Sequence, residues 1–294
     1  MTTLTWDKTG ERVFETGVDH GVLYIPNTAG VYDEGHAWNG LTTVTESPSG
    51  AESNKQYADN RVYANLVSAE EFGGTIEAFT YPDEFEQCDG TATPTPGVGF
   101  GQQGRKPFGL SYRSLIGNDT QGQNFGYKLH LVYGATAAPS EKARATVNDS
   151  PEAMTLSWEF TTDPVEVGTI AGVTYKPTSH ITIDSTKVDA DNLATLEEFL
   201  YGTAGTDPSL PTPAAVYAIF SGSVLTVTPT EPTYDGATNT MTVPSIAGVT
   251  YYMDDQPLAA GPVVLTANKV VEARPNVGYK FTQPSDNDWL MGDF

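Results

Sequence analysis

The feature that most constrains this chain is a period of two. Thr75-Ile-Glu-Ala-Phe-Thr-Tyr81 alternates apolar and polar residues and stops at Pro82. Phe125, Tyr127, Leu129, Leu131 and Tyr133 fall on one face of a second segment. In Thr155–Thr161, Leu156, Trp158 and Phe160 oppose Ser157 and Glu159, and His180-Ile-Thr-Ile-Asp184 repeats the pattern. Successive side chains of a strand point to opposite faces. Such segments therefore predict antiparallel strands with one buried and one polar face. With 29 Gly and 20 Pro as punctuation, the expected fold is mainly β, built of short strands and many turns.

Two short helices interrupt the strands. Asp191 is placed to cap a segment in which Leu193, Leu196, Phe199 and Leu200 recur at helical spacing, and Gly202 ends it. Thr212-Pro213 supplies a cap and a first-turn proline, and Val216, Ile219 and Phe220 form a stripe before Gly222. Helices this short must dock to be stable, so Leu193, Leu196, Phe199 and Leu200 are the expected packing residues.

Alternation fails after Leu41 and Val44. Ser47-Pro-Ser-Gly-Ala-Glu-Ser-Asn-Lys-Gln56 is polar, and regular character returns only near Arg61-Val-Tyr63. This predicts a long polar loop over 47–60 inside an otherwise compact pattern, and loops of that length are usually functional or disordered. Thr228-Pro-Thr-Glu-Pro232 reads as a linker. Met241-Thr-Val, Val249–Tyr252, Val263-Val-Leu, Val270–Ala273 and Tyr279-Lys-Phe281 follow, spaced as in a small β-sandwich. The expected organisation is a domain over 1–227, a linker over 228–232 and a β-sandwich module over 233–294.

Fifteen basic residues against 37 acidic ones give a net charge of −22. Both nucleic-acid wrapping and binding to anionic membranes need a basic surface, so this balance disfavours them. Cys88, the only cysteine, excludes an intrachain disulfide and a cysteine-based zinc site. The N-terminus lacks a signal-peptide pattern, and no apolar run approaches the ~18 residues of a membrane span. Synthesis in the cytosol is expected.

Chemistry-bearing motifs are weak. Gly99-Phe-Gly-Gln-Gln-Gly104 matches a dinucleotide-binding spacing, but Pro94, Pro96 and Pro107 surround it where a strand and a helix are required. Asp189-Ala-Asp-Asn192 begins like a calcium loop, but Leu193 stands at a ligand position. Pro82–Asp89 clusters carboxylates around Cys88 and reads as a solvated acidic turn. His20, His36, His130 and His180 are scattered, without the spacing of a metalloprotease helix. No catalytic residue, metal site or cofactor is expected, and the chain does not read as an enzyme.

The order of several segments resembles the major tail tube proteins of long-tailed bacteriophages. These are Trp38–Glu52, Tyr57-Ala-Asp-Asn60, Thr75–Phe85 with Cys88-Asp-Gly90, and Phe125–Leu131. Lys176–Ile181, Asp184–Lys187 and Leu196–Gly202 continue the series. Val271–Pro275, Gly278–Phe281 and Trp289 are similar to the immunoglobulin-like modules appended to such proteins.

The resemblance implies a tail-tube-type β-sandwich or barrel with one or two short helices, plus a small C-terminal immunoglobulin-like sandwich. It implies a structural virion protein, assembled in the host cytoplasm, whose rings, usually hexamers, stack into a tube for genome ejection. Its partners would be further copies of itself, the tape measure, tip and terminator proteins, and DNA passing without specific binding. Ser47, Pro48, Ser49, Gly50, Glu52, Asn54, Lys55 and Gln56 would form the loop that bridges rings. The polar faces carrying Glu77 and Glu159 either line the channel or face outward. The alternative is a carbohydrate-binding or adhesive β-protein that recognises host surface glycans, with Trp289, Tyr251 and Tyr252 as stacking platforms. A glycoside hydrolase using a carboxylate pair is a third reading.

Overall fold

The computed structural model describes residues 3–147, 149, 153–170, 172–222, 225–254, 256–276, 279–282 and 286–293. Gly278 of the C-terminal motif lies outside them. The protein is mainly β, with 50% strand and 9% helix, and no barrel closes among the described residues. It divides into two compact units, each described by itself. The first comprises Met1–Ile25, His36–Glu166 and Pro177–Thr186, and the second Pro26–Gly35, Val167–Lys176 and Lys187–Phe294.

The first strands in chain order are β1 (Val13–Ile25), β2 (Glu34–Trp38), β3 (Leu41–Glu46), β4 (Ser49–Gly50), β5 (Ser53–Ala58), β6 (Arg61–Val67), β7 (Glu70–Glu71) and β8 (Gly73–Ala78). They are followed by β9 (Ala92–Thr95), β10 (Val98–Phe100), β11 (Phe108–Asn118), β12 (Gly122–Ala137) and β13 (Leu156–Thr162). After the small hairpin of β14 (Thr169–Ile170) and β15 (Val173–Thr174) comes β16 (His180–Asp184).

The main sheet runs β2-β1-β11-β12-β13-β8-β3, with β16 also paired to β12. The long strand β12 organises it. Lys128–Val132 pairs with β16, whereas Ala135–Ala137 pairs with β13. The change of partner falls at Gly134, where φ is +61°. A Cβ there would lie 2.2 Å from the carbonyl oxygen of Asp163, whose own N–H donates to the Gly134 carbonyl at 3.0 Å. Only glycine accepts both demands. Beyond this point the sheet turns back on itself, and residues of β1, β11 and β12 share one core with Ile76, Ala78, Leu156, Trp158 and Phe160.

Trp158 is the centre of that core. Trp38, Tyr81 and Phe85 meet its ring edge-on at 5.7, 5.4 and 5.3 Å between centroids, the geometry that aromatic quadrupoles favour. Leu156, Trp158 and Phe160 point inward as the alternation predicts. In β12 the prediction of a polar second face is corrected. Leu129 to Tyr133 is buried at every position, so this strand is covered on both faces.

The acidic turn over Pro82–Asp89 is a 3-10 helix, Asp83–Gln87, that buries Phe85. Cys88 beside it is buried, and its thiol is pushed up to about 12 chiefly by burial. Asp89 pairs with Arg105 and Lys142. The glycine motif 99–104 begins within β10, in an exposed hairpin with β9, and leads into β11, so it has no helix after it.

In the second unit α1 (Ala190–Tyr201) is capped by Asp189, whose carboxylate accepts from the N–H groups of Asp191 and Asn192 at 3.1 Å each. This corrects the expected cap, Asp191, which lies in the first turn. Leu193, Leu196 and Leu200 are buried and Phe199 is half-buried. In α2 (Pro213–Ser221), Thr212 accepts from the Ala215 N–H, and Gly222 closes the helix in the left-handed conformation.

The remaining strands are β17 (Leu225–Val227), β18 (Thr233–Asp235), β19 (Thr240–Val243), β20 (Val249–Met253), β21 (Gln256–Leu258), β22 (Gly261–Val264), β23 (Lys269–Pro275), β24 (Tyr279–Phe281) and β25 (Asp288–Met291). A three-stranded sheet, β18-β19-β22, and a four-stranded sheet, β21-β20-β23-β25, share a core of Met241, Val243, Val249, Tyr251, Val271, Ala273, Trp289 and Met291. Tyr251 and Trp289 are therefore core residues, which corrects their reading as stacking platforms. The Tyr251 hydroxyl donates to the Thr230 carbonyl at 2.6 Å, tying down the 228–232 segment. β17 pairs in parallel with β24, so a cut after Val227 separates two paired strands. No helix among the described residues is long and apolar enough to cross a membrane.

Gly134→Ala should lower stability by about 1–2 kcal/mol for the left-handed backbone alone, and by more once Asp163 is displaced. Urea denaturation followed by tryptophan fluorescence measures this.

Candidate functional site

The segment predicted as a loop over 47–60 is instead the outgoing limb of a β-hairpin arm. β4 pairs with β7 and β5 with β6. The pairs are offset at Gly50 and Ala51, both with positive φ. The arm closes at Asp59 and Asn60, with φ of +51° and +61°, the left-handed pair of a two-residue turn whose twist matches its strands. Ser47 and Pro48 stand at the base, Ser49 and Gly50 form β4, Glu52 follows, and Asn54, Lys55 and Gln56 lie in β5. All eight are exposed.

The arm carries more than polar residues. Tyr57, Tyr63, Leu66 and Val67 are 70, 73, 58 and 61% exposed. Tyr57 and the stretch after Asn60 hold the signal that was missed. Apolar residues on both sides of a two-residue Asp-Asn turn mark a hairpin whose apolar side chains find no cover within the described residues.

Glu77 and Glu159 lie on the outer face of neighbouring strands. Glu77 pairs with Ser157 and Thr43, and Glu159 with Thr75. Thr45 and Thr161 complete the patch on the face opposite Ile76 and Trp158. None of the residues of β3, β8 and β13 is Lys or Arg.

A third feature arises where strand parity and register converge. Tyr112 on β11 stands opposite His130 on β12, and His130 stands opposite Thr182 on β16. Residues directly opposite, and those two positions along, share a face. Tyr112, Ser114, His130, His180 and Thr182 therefore project together. From β3, Glu46 reaches the same point. Its partner is Gly74, where any Cβ would fall 2.3 Å from the Thr45 carbonyl oxygen.

The contacts are close. His130 Nδ1 lies 3.1 Å from Glu46 Oε1 and 3.3 Å from His180 Nε2. His180 Nε2 lies 3.9 Å from the same carboxylate oxygen. The Tyr112 hydroxyl donates to Glu46 Oε1 at 2.7 Å, and Ser114 Oγ is 3.0 Å from His130 Nε2. The Tyr112 ring stacks on His130 and the Phe72 ring on His180, each at 4.6 Å.

The His130 hydrogen bond, joined by that of Tyr112 and the charge of the imidazoles, outweighs burial and holds the Glu46 carboxyl at about 2. Burial pushes His180 below its ordinary value, against the pull of Glu46. Burial and then the Glu46 carboxylate raise Tyr112, so its hydroxyl stays a donor. The histidines read as scattered are thus two scattered and two joined. The pairing of β12 with β16 spans 50 residues, and sequence spacing does not reveal it.

No protein-family model matches the chain, and no curated protein matches it.

Tyr112→Phe removes one hydrogen bond to a charged acceptor while keeping the stacked ring. A loss of about 1.5–3 kcal/mol is expected, the range of hydrogen bonds to ionised groups, and thermal denaturation at neutral pH reads it.

Proposed function

We propose that this protein is a self-assembling structural subunit whose rings stack into a phage tail tube. The observation that carries the reading is the hairpin arm. A two-stranded hairpin is marginal by itself in water, and exposed apolar side chains gathered on one element mark an interaction surface. The arm of 47–71 gives a ring subunit a means of reaching its neighbour. In this reading Ser47 to Gln56, with Tyr57, Tyr63, Leu66 and Val67, are buried on stacking.

The charge supports the same reading. Each phosphate contact by a basic residue retains DNA. The Thr, Ser and Glu face of β3, β8 and β13 offers none, and is the best candidate for a channel lining through Glu77 and Glu159. The sequence resemblance to tail tube proteins adds the expected partners, namely further copies of the chain, the tape measure, tip and terminator proteins, and passing DNA. Assembly would take place in the host cytoplasm and end in the virion tail.

An adhesive role has one surface in its favour, the groove lined by Tyr252, Asp254, Asn268, Lys269, Glu272 and Arg274 on the C-terminal sheet. The Arg274 guanidinium lies 4.5 Å from the centre of the Tyr252 ring and covers the face a sugar would stack on. A polar groove remains for hydrogen bonding to glycans.

Negative-stain microscopy of the purified chain tests the proposal: rings or tubes are expected, and more of them as salt screens a subunit of charge −22. Replacing residues 51–69 by a two-residue turn should leave circular dichroism consistent with a folded sheet and abolish tube growth. Normal tubes from that variant would remove the arm from the assembly interface.

A further inference from the structure

We propose that Glu46, His130 and His180 form a binding site for a zinc-class divalent cation, with Glu46 Oε1, His130 Nδ1 and His180 Nε2 as its ligands. The inference is independent of the tail tube reading, because all three residues belong to one chain and one unit.

Geometry is the first argument. The three atoms form a triangle with edges of 3.1, 3.3 and 3.9 Å. The point equidistant from its corners lies about 2.0 Å from each, the length of zinc–nitrogen and zinc–oxygen bonds. Shortening the longest edge lifts the ion out of the ligand plane and completes a tetrahedron with a fourth ligand from solvent. Glu46 is partly exposed, so water has access to that position.

Chemistry narrows the ion. Two imidazoles and one carboxylate suit zinc and its first-row neighbours, whereas magnesium and calcium take oxygen ligands. The same set, two histidines and a glutamate, is a recurrent three-ligand zinc site with an open position.

The surroundings are built as a metal site requires. Ring nitrogens that bind metal are oriented by a hydrogen bond at the other nitrogen, and Ser114 Oγ stands 3.0 Å from His130 Nε2. In the metal-free chain the His130 Nδ1–H donates to Glu46; on binding, the ring proton shifts to Nε2, which donates to Ser114, and the Nδ1 lone pair turns to the ion. Two imidazole nitrogens and one carboxylate oxygen then converge on the ion. The Tyr112 hydroxyl occupies one lone pair of Glu46 Oε1, and the other, which meets His130 in the metal-free chain, turns to the ion. Stacking on Tyr112 and Phe72 fixes both imidazole planes, so little side-chain entropy remains to be lost on binding.

The ion would join β3, at the foot of the arm, to β12 and β16. It would brace the base of the hairpin against the sheet.

The test is a titration of the untagged, chelator-treated full-length chain with Co2+, read by visible absorption. One equivalent should produce the intense bands of four-coordinate cobalt, and Zn2+ should displace them. Glu46→Gln and His180→Asn should each weaken binding about 100-fold or more, and Ser114→Ala about 10-fold, as orienting partners of ligands do. His20→Gln should leave binding unchanged. Thermal unfolding of the unsubstituted chain gives a second readout, in which Zn2+ raises the midpoint and chelator reverses the rise. The weak spectrum of hydrated cobalt with no shift in the midpoint would overturn the site. So would four-coordinate bands that persist unchanged in both ligand variants.

Discussion

Everything in the first unit depends on how β12 changes partners. A strand whose length were spent on one neighbour on each side would leave a flat sheet with an uncovered apolar face. Here Lys128–Val132 serves β16, and Ala135–Ala137 serves β13. The left-handed turn at Gly134 between them carries β13, β8 and β3 over the face of β1 and β11. Trp158 is buried because of that turn, and so is Glu46 brought against His130. The ~1–2 kcal/mol that a side chain would cost in this conformation is small against the core that depends on it.

The same folding-over separates two kinds of surface with opposite chemistry. The inner parity of β3, β8 and β13 carries Val44, Ile76, Ala78, Leu156, Trp158 and Phe160. The outer parity carries threonine, serine and glutamate. Beyond Glu46 the chain leaves the sheet as the arm, and the rule inverts. Tyr57, Tyr63, Leu66 and Val67 lie in water on strands that make no core. Burial of such residues offsets the ordering of the arm when a partner arrives. An arm exposed in the free chain and a core complete without it are the conditions under which assembly can be switched on without refolding the subunit.

Strand existence was legible wherever one face alone was buried. Leu156, Trp158 and Phe160 point inward as alternation requires, and the C-terminal strands fall where their turns place them. Legibility failed for physical reasons at particular residues. Leu129 to Tyr133 is covered on both sides, which alternation does not report. Ser53-Asn-Lys-Gln56 has the polarity of a loop but is held by cross-strand pairing with Ala64 to Val67. Asp189 and Asp191 are both competent caps, and only the backbone angle at Asp189 selects between them. The polar cluster was hidden because its members come from four strands. His130 and His180 are separated by 50 positions, and their meeting is a property of register rather than of spacing.

That cluster also explains a choice of residue that strand physics alone would reject. An inward carboxylate at the end of β3 costs desolvation, and the usual remedy is an apolar residue. At position 46 the cost is met by position. Gly74 leaves room opposite the side chain, Tyr112 donates to it from the core, and His130 meets it from β12. A glutamate held by two layers is more directional than a leucine in the same place, because its partners fix where each oxygen lies. It stands one residue before the chain departs into the arm, with the Ser47 N–H bonded to the Gly73 carbonyl at 2.8 Å. The last ordered contact of the sheet and the first residue of the arm are therefore one structure. The contacts that Glu46 makes with Tyr112 and His130 therefore help to set how firmly the arm is rooted.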